Sequence, residues 1–248
     1  MNEIIKPIIK VGNSAGVLLP KEWLNGKAKV ELISRPIDIK NEILGILGSY
    51  LANIKGIYLV GSHARGEETD ESDIDVLAVT DGIDKKISSG KYSIILISEE
   101  NLKKTLERNV LPLLPMIREA KPIINKKLLE QYKKIEPNKK NVKIILEITE
   151  SSRKVCKEAI KMSKELNESM SDEIMYSLIL GLRTVYILDC LKKNKIPTTK
   201  GIRELSREIT QTDESYNAYL RSKNGKKTKS VIIPEIAEKL NKYILDKI

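Results

Sequence analysis

At 248 residues the chain is long enough for one large domain or for two to three small ones. Its 44 Lys and Arg against 34 Asp and Glu leave a net charge of +10, which favours nucleic acid or another polyanion as partner, although a lysine-rich solvated surface gives the same sum. Two cysteines, each inside a predicted helix, argue against a disulfide or a cysteine metal site; with no leader peptide and no apolar run of about 18 residues, the expectation is a soluble, cytoplasmic protein that avoids membranes. The first 35 residues carry short β signals. Ile8 to Val11 reads as a strand, residues 12–16 (GNSAG) as a turn, and 17–19 as a second strand closed by Pro20. One helical turn at 21–24, an Asn25-Gly26 turn and a strand at 29–33 follow. So small a β unit buries little apolar surface, so it must pair with another copy or pack on the rest of the chain.

The string IIKVGNSAGVLLPKEWLNGKAKVEL resembles the AbrB/SpoVT-like swapped-hairpin domains. That resemblance implies a homodimer that binds DNA through residues 1–35, with Lys10, Lys21, Lys27 and Lys29 as candidate contacts and Trp23 in the core. Arg35-Pro36 reads as the linker.

Residues 41–53 present apolar positions at helical spacing, interrupted by Gly45 and Gly48. The apolar run 57–60 (IYLV) then predicts a buried strand, followed at once by Gly61-Ser62. A polar stretch ends in Asp73-Ile74-Asp75, which opens a second apolar strand at 76–79. Side chains two apart on a strand share a face, so Asp73 and Asp75 project together while Ile74 turns to the core. Two adjacent carboxylates repel unless a cation lies between them, and hard oxygen ligands suit Mg²⁺ or Mn²⁺ together with substrate phosphates. Gly61 lets backbone approach a ligand closely, and the turn's N–H groups with the Ser62 hydroxyl suit phosphate oxygens. Arg65 adds a guanidinium for a phosphate.

Gly61-Ser62, ten residues, then Asp73-x-Asp75 resembles the signature of polymerase-beta-type nucleotidyltransferases, and GSHARG…SDIDVLAV resembles their minimal members. The resemblance implies transfer of a nucleoside monophosphate from an NTP, with ATP foremost, to an acceptor hydroxyl on a protein, an RNA or a small molecule. Asp73 and Asp75 would serve as catalytic metal ligands, and Gly61, Ser62 and Arg65 as nucleotide-binding residues. Such sites usually take a third carboxylate from the adjacent strand. Here that place falls near Ser93 in the predicted strand 92–97, and a degenerate, non-catalytic domain in a DNA-binding regulator or antitoxin is the alternative reading.

Residues 80–90 read as a charged loop, 99–106 as a helix, 110–117 as a proline-punctuated apolar run closing the sheet, and 123–132 as a helix. From Asn141 the pattern is helical. Ile145, Ile148, Ser152, Val155, Ala159, Met162 and Leu166 form a seam for a neighbour, and 172–191 is apolar nearly all round. Further helices carry Ile202, Leu205 and Ile209; a start near Thr212; and Pro234 to Ile244. This region resembles HEPN-like domains or the helical domain of kanamycin-nucleotidyltransferase-type enzymes. The only histidine, His63, lies outside it, so the Arg–His ribonuclease chemistry of HEPN proteins is not available. The basic stretch 221–229 reads either as a phosphate grip or as a solvated loop. The expected architecture is α+β: a short N-terminal β unit (1–35), a central mixed-sheet nucleotidyltransferase domain (36–138) and a C-terminal helical bundle (139–248).

Overall fold

The computed structural model describes residues 4–31, 38–226 and 232–248 and divides into two compact units, 1–39 and 40–248. In the first unit β1 (Ile9–Val11) and β2 (Ser14–Gly16) form an antiparallel hairpin with Val11 opposite Ser14. Gly12, at φ +58°, begins the two-residue turn, the place where a type II′ hairpin needs positive φ. That tight turn brings the second strand in at 14–16, so the strand expected at 17–19 does not form. A 3-10 turn spans Lys21–Trp23, and residues 29–31 carry no strand pairing. The expected linker Arg35-Pro36 lies outside the described residues. None of residues 4–31 is buried: Ile5 is 79% exposed, Leu18 71%, and Trp23, expected in a core, is only partly covered.

α1 (Ile39–Ile46) leads into the second unit. The helix expected to run through residue 53 stops at Ile46, and Gly48–Asn53 continues as a 3-10 turn, because glycine carries a helix poorly. β3 (Ile54–Val60) enters α2 (Gly61–Arg65), and the chain returns as β4 (Ile74–Thr80). β5 (Lys85–Ser89) and β6 (Tyr92–Ser98) form a hairpin. The five-stranded sheet has the order β5-β6-β4-β3-β7, with β4 and β6 parallel and every other pair antiparallel. β5 was expected as loop; as an exposed edge strand with two lysines it carries little apolar signal.

Past α3 (Glu99–Arg108), the proline-rich run folds as α4 (Leu114–Glu119), with Pro115 in the first turn where its missing N–H does no harm. The sheet is closed instead by β7 (Lys121–Ile124), an edge strand that tolerates Pro122. α5 (Lys126–Lys133) is capped by Asn125. Tyr58, Val60, Leu77 and Val79 face one layer with Leu102, Leu114, Ile117 and Leu129, while Ile57, Ile74, Val76, Ala78 and Ile94 are buried on the opposite face.

The remainder is α6 (Lys139–Leu166), α7 (Asp172–Lys192), α8 (Thr199–Thr210), α9 (Glu214–Lys223) and α10 (Pro234–Leu245). With the sheet this gives the expected α+β class. Ile145, Leu188 and Leu191 join the core beneath the sheet, and a second core gathers around Met175, Leu178, Leu182, Ile202, Tyr219 and Leu240. α7 is long and apolar enough to cross a membrane, contrary to the expectation that no such run exists; most of its apolar residues are buried in or packed against the chain's own cores, with Leu180 exposed, which accounts for its composition.

α6 also departs from its expected packing. The side turned inward carries Asn141, Ile145, Thr149, Arg153, Cys156 and Ile160, while Ile148, Val155, Met162 and Leu166 of the expected seam are exposed. The Thr212 hydroxyl accepts the Glu214 N–H at 3.1 Å, one residue off its expected capping register, since Asp213 precedes the helix.

Candidate active site

The turn after β3 and the start of β4 meet at one end of the sheet. Asp75 pairs across β3 with Val60 and across β6 with Ser93, so it stands mid-sheet with Gly61 on one side and Ser93 on the other. Ile74 is 1% exposed, which leaves Asp73 and Asp75 to the other face. Gly61 sits at φ +71°, and a Cβ built on it would lie 2.5 Å from Asp75 Oδ2. Glycine is therefore required there twice, for the turn and for the approach of backbone to carboxylate. Ser62 follows, half-buried, and Gly66 at φ +72° ends the helical turn.

Burial raises the Asp75 pKa above the usual 3.8, the Asp73 charge raises it further, and a hydrogen bond from Ser93 with the charges of Arg65 and His63 only partly oppose this. His63 Nε2 is buried with no hydrogen-bond partner among the described residues. Two carboxylate oxygens sets beside a backbone turn form a donor set that fits one Mg²⁺, an ion bound through one or two carboxylates with waters and phosphates completing its shell. Among the described residues no group of three or more His, Cys, Asp or Glu is placed to hold a metal, and Ser93 occupies the neighbouring-strand position.

Arg65 lies beside this turn but is already engaged. Its Nη1 donates to Glu119 Oε2 at 2.6 Å and its Nε to Glu67 Oε2 at 2.7 Å. Glu119 Oε1 in turn accepts the Gly61 N–H at 2.7 Å. Both partners of Glu119 are donors, so it holds them as a carboxylate, even though burial pushes its pKa up against the pull of Arg65. Burial also works against the Arg65 charge, and Glu67 and Glu119 outweigh it. Glu67 continues the chain of contacts by accepting the Thr199 N–H at 3.3 Å at the start of α8. A single network thus ties the Gly61 turn to the helical part of the unit.

Neither Glu119 nor Glu67 stood out in the sequence. Glu119 does carry a signal: it is an acidic residue inside the apolar stretch 110–124, and a carboxylate in such a run must find partners or stay protonated. Glu67 sits in an acidic, polar loop and carries none.

Arg65 and Glu119 also line a cavity of about 320 Å³, together with Arg183, Tyr186, Tyr216 and Tyr219 from the helices and Thr198 just before α8. A larger hollow of about 660 Å³, around Val142, Leu146 and Leu191, contains none of these residues and lies away from the paired carboxylates. Arg221, the first residue of the expected basic loop, is in α9 and bound by Asp172, at 2.7 and 2.9 Å, and by Glu214 at 2.7 Å. Its guanidinium braces α9 against α7, and residues 227–231 lie outside the described residues.

Residues 40–167 match the family model described as the nucleotidyltransferase domain. Among solved structures, a nucleotidyltransferase-like protein from Exiguobacterium sibiricum 255-15 is 14% identical, with 84% of this chain and 74% of that chain covered and a TM-score of 0.40. Spectinomycin adenyltransferase AAD(9) from Enterococcus faecialis, solved with ATP and spectinomycin, is 17% identical, with 84% of this chain and 96% of that chain covered and a TM-score of 0.43. No curated protein matches the chain.

Proposed function

The chain belongs to the nucleotidyltransferase-domain family, and from that premise we propose that it moves a nucleoside monophosphate from an NTP, ATP first among them, to an acceptor hydroxyl, with Mg²⁺ or Mn²⁺ as cofactor. The observation that carries this reading is the packing of the Asp75 carboxylate directly against the Gly61 turn. Metal ligand and phosphate-binding backbone are then adjacent, which is what phosphoryl chemistry by positioning and charge stabilisation needs. Asp73 and Asp75 hold the ion. Ser62 and the N–H groups that follow it hold the phosphates against it, and Gly61, whose own N–H is taken by Glu119, lets the backbone come close enough for this. When bound, Mg²⁺ would draw charge from the transferring phosphoryl group and orient it. The acceptor hydroxyl loses its proton to solvent, its oxygen forms the new bond to the α-phosphorus, and the bond from that phosphorus to the bridging oxygen breaks to release pyrophosphate. Arg65 serves the nucleotide at short range, through the turn that it and Glu119 brace. The 320 Å³ cavity, with tyrosines on its helical wall, is of a size for a small ring system and is assigned to the acceptor.

Two observations favour a second reading, a DNA-binding regulator whose transferase domain only senses nucleotide. Ser93 stands where a third carboxylate would complete a two-metal site, and the N-terminal β unit leaves its apolar residues uncovered, as an AbrB-like swapped-hairpin dimer would require of each half. Lys10, Lys21, Lys27 and Lys29, all exposed, would then meet the duplex.

Incubation with labelled ATP and Mg²⁺ or Mn²⁺ beside cell extract separates the two. The transferase reading expects a labelled protein, RNA or small-molecule product that disappears with Asp73→Asn/Asp75→Asn. No product from any of the four NTPs, together with tight DNA binding, would replace it with the regulator.

A further inference from the structure

The cavity that Arg65 and Glu119 share with α7, α8 and α9 has an uneven set of charges. Among the described residues that line it, Glu119 is the one carboxylate, and Arg65 and Arg183 are the cations. Glu119 is buried, and each of its oxygens already holds a donor, Oε1 the Gly61 N–H and Oε2 the Arg65 guanidinium. Arg65 is matched in turn by Glu119 and by Glu67, which also accepts from the start of α8. Arg183 stands apart from this network. It shares one face of α7 with Ile179, a turn before it, and Ile187, a turn after. It makes no hydrogen bond or ion pair among the described residues. Its charge is nonetheless felt at the wall. Burial and the neighbouring Tyr219 raise the Tyr216 pKa above the usual 10.0, and the charges that pull it back are Arg183 and Arg203.

Much of the remaining lining is apolar or aromatic, with Met116, Ile179 and Ile202 among the tyrosines. The rings are held in place by one another. Tyr219 stacks on Tyr176 with centroids 5.3 Å apart, and Tyr216 tilts against Tyr219 at 5.4 Å. Fixed rings suit a flat ligand, since little side-chain freedom is lost when it binds. Glu119 joins this cavity to the candidate active site, because the carboxylate that lines the one also holds the Gly61 N–H of the other.

We infer that the acceptor is a small, flat, hydroxyl-bearing ring carrying an anionic group, a carboxylate or a phosphate, and that Arg183 receives that group. The inference rests on the assignment of this cavity to the acceptor and gives the acceptor its charge. A guanidinium whose donors are free matches a carboxylate or a phosphate with two parallel hydrogen bonds. A cationic ring compound would meet Arg183 in the same space and find no carboxylate to spare. The one that lines the cavity is committed to Arg65 and to the Gly61 turn, so drawing it away would undo the brace behind that turn. Selection thus comes from repulsion as well as from attraction.

Three phenols of nearly one shape test it: para-hydroxyphenylacetate, an anion; tyrosol, its neutral alcohol counterpart; and tyramine, a cation. Binding of each to the full chain, with neither metal nor nucleotide present, is read by calorimetry or by ligand-observed NMR. The acid should bind about fivefold more tightly than the alcohol, and tyramine more weakly than either. Arg183→Gln should bring the acid to the level of the alcohol and leave the alcohol unchanged, while Arg183→Lys should keep part of the preference. Arg183 is exposed, so both variants should melt as the wild type does. Tyramine binding as tightly as the acid would overturn the inference. So would a preference for the acid that survives Arg183→Gln, or no binding by any of the three. Leaving nucleotide out keeps this result apart from the labelling assay. Selective binding of the acid by a chain that labels nothing refutes the transferase alone, and a labelled product from a chain that prefers tyramine refutes the anionic acceptor alone.

Discussion

Gly61 shows how much of the site depends on one missing side chain. Its positive φ and the nearness of Asp75 Oδ2 act independently, so Gly61→Ala has to absorb both a left-handed backbone and a carboxylate in contact with the new Cβ. The expected loss is at least about 2 kcal/mol in a denaturant titration, with metal-nucleotide affinity reduced as the turn shifts. Asp75 behaves in the opposite way. Because burial and Asp73 raise its pKa, the folded state binds the proton more tightly than the unfolded chain, so the ionised group costs stability at neutral pH and the cost is relieved as pH falls through the raised value toward 3.8. Asp75→Asn should therefore raise the melting temperature of the metal-free protein, by roughly 2–4 °C for each kcal/mol recovered. The same variant should erase stabilisation by Mn²⁺ with ATP; persistence of that stabilisation would remove Asp75 from the metal site. Ser93, opposite Asp75 on the parallel neighbour β6, gives a third test. Ser93→Asp should destabilise the metal-free protein by adding a carboxylate to the cluster, and should enlarge the melting-temperature gain on adding Mn²⁺. A smaller gain than wild type would mean that β6 does not face the ion.

Among elements, the join between the sheet and α3 is held by charge. Glu99, the first residue of α3, is pulled down to about 2 by hydrogen bonds from Lys103, one turn on, and from Lys55 on β3. A carboxylate with a lowered pKa contributes stability that is complete above its unfolded value of 4.5 and is lost as pH falls from there toward 2. Melting curves at pH 5 and pH 2.5 should show Glu99→Gln less stable than wild type at the higher pH, with the gap much reduced at the lower. An equal gap at both values would show that packing, and not the ion pairs, holds α3. The elements that were legible in the sequence are those whose burial repeats on one side. β3 and β4 read as apolar runs since both faces are covered, and α7 as an apolar helix since cores meet it on several sides. β5 was not legible, because an edge strand paired on one side needs no apolar face. α6 was legible as a helix and misread as to which face turns inward, because two apolar stripes lie on it and periodicity does not say which neighbour each will meet.

For the whole molecule, the contrast is between a unit with two cores and one whose described residues form none. Residues 4–31 contain no buried side chain, whereas unit 40–248 holds a covered sheet and a helical core. Deleting residues 1–39 should therefore leave the remaining chain folded, with an unchanged cooperative melt, since no core is removed with them. If the N-terminal unit is the DNA-binding half of a dimer, the same deletion should abolish DNA affinity, and the full chain should bind a duplex with an affinity that falls steeply with salt as lysine–phosphate contacts release counterions. Titrations at two salt concentrations, with light scattering on both forms, check this. Salt-independent binding, or retention of binding by the truncated chain, would place the contact elsewhere.

The sequence by itself determined the strand–turn–strand with Gly61, Ser62, Asp73 and Asp75, because each property involved is local: a period of two that puts two carboxylates on one side, and a glycine where backbone must bend. It also determined the α+β class, the apolarity of α7 and the lack of enough apolar surface in the first 35 residues for a core of their own. Only the tertiary structure decided what lies around the turn. Glu119 reaches Gly61 from 58 residues away and Glu67 reaches α8 from 132 residues away, and no spacing in a chain predicts contacts over such separations. The same holds for Arg65, whose charge is visible in the sequence while its partners are not. Their positions follow from where the layers close on one another, and that closure depends on all the apolar surface at once, not on any stretch of it.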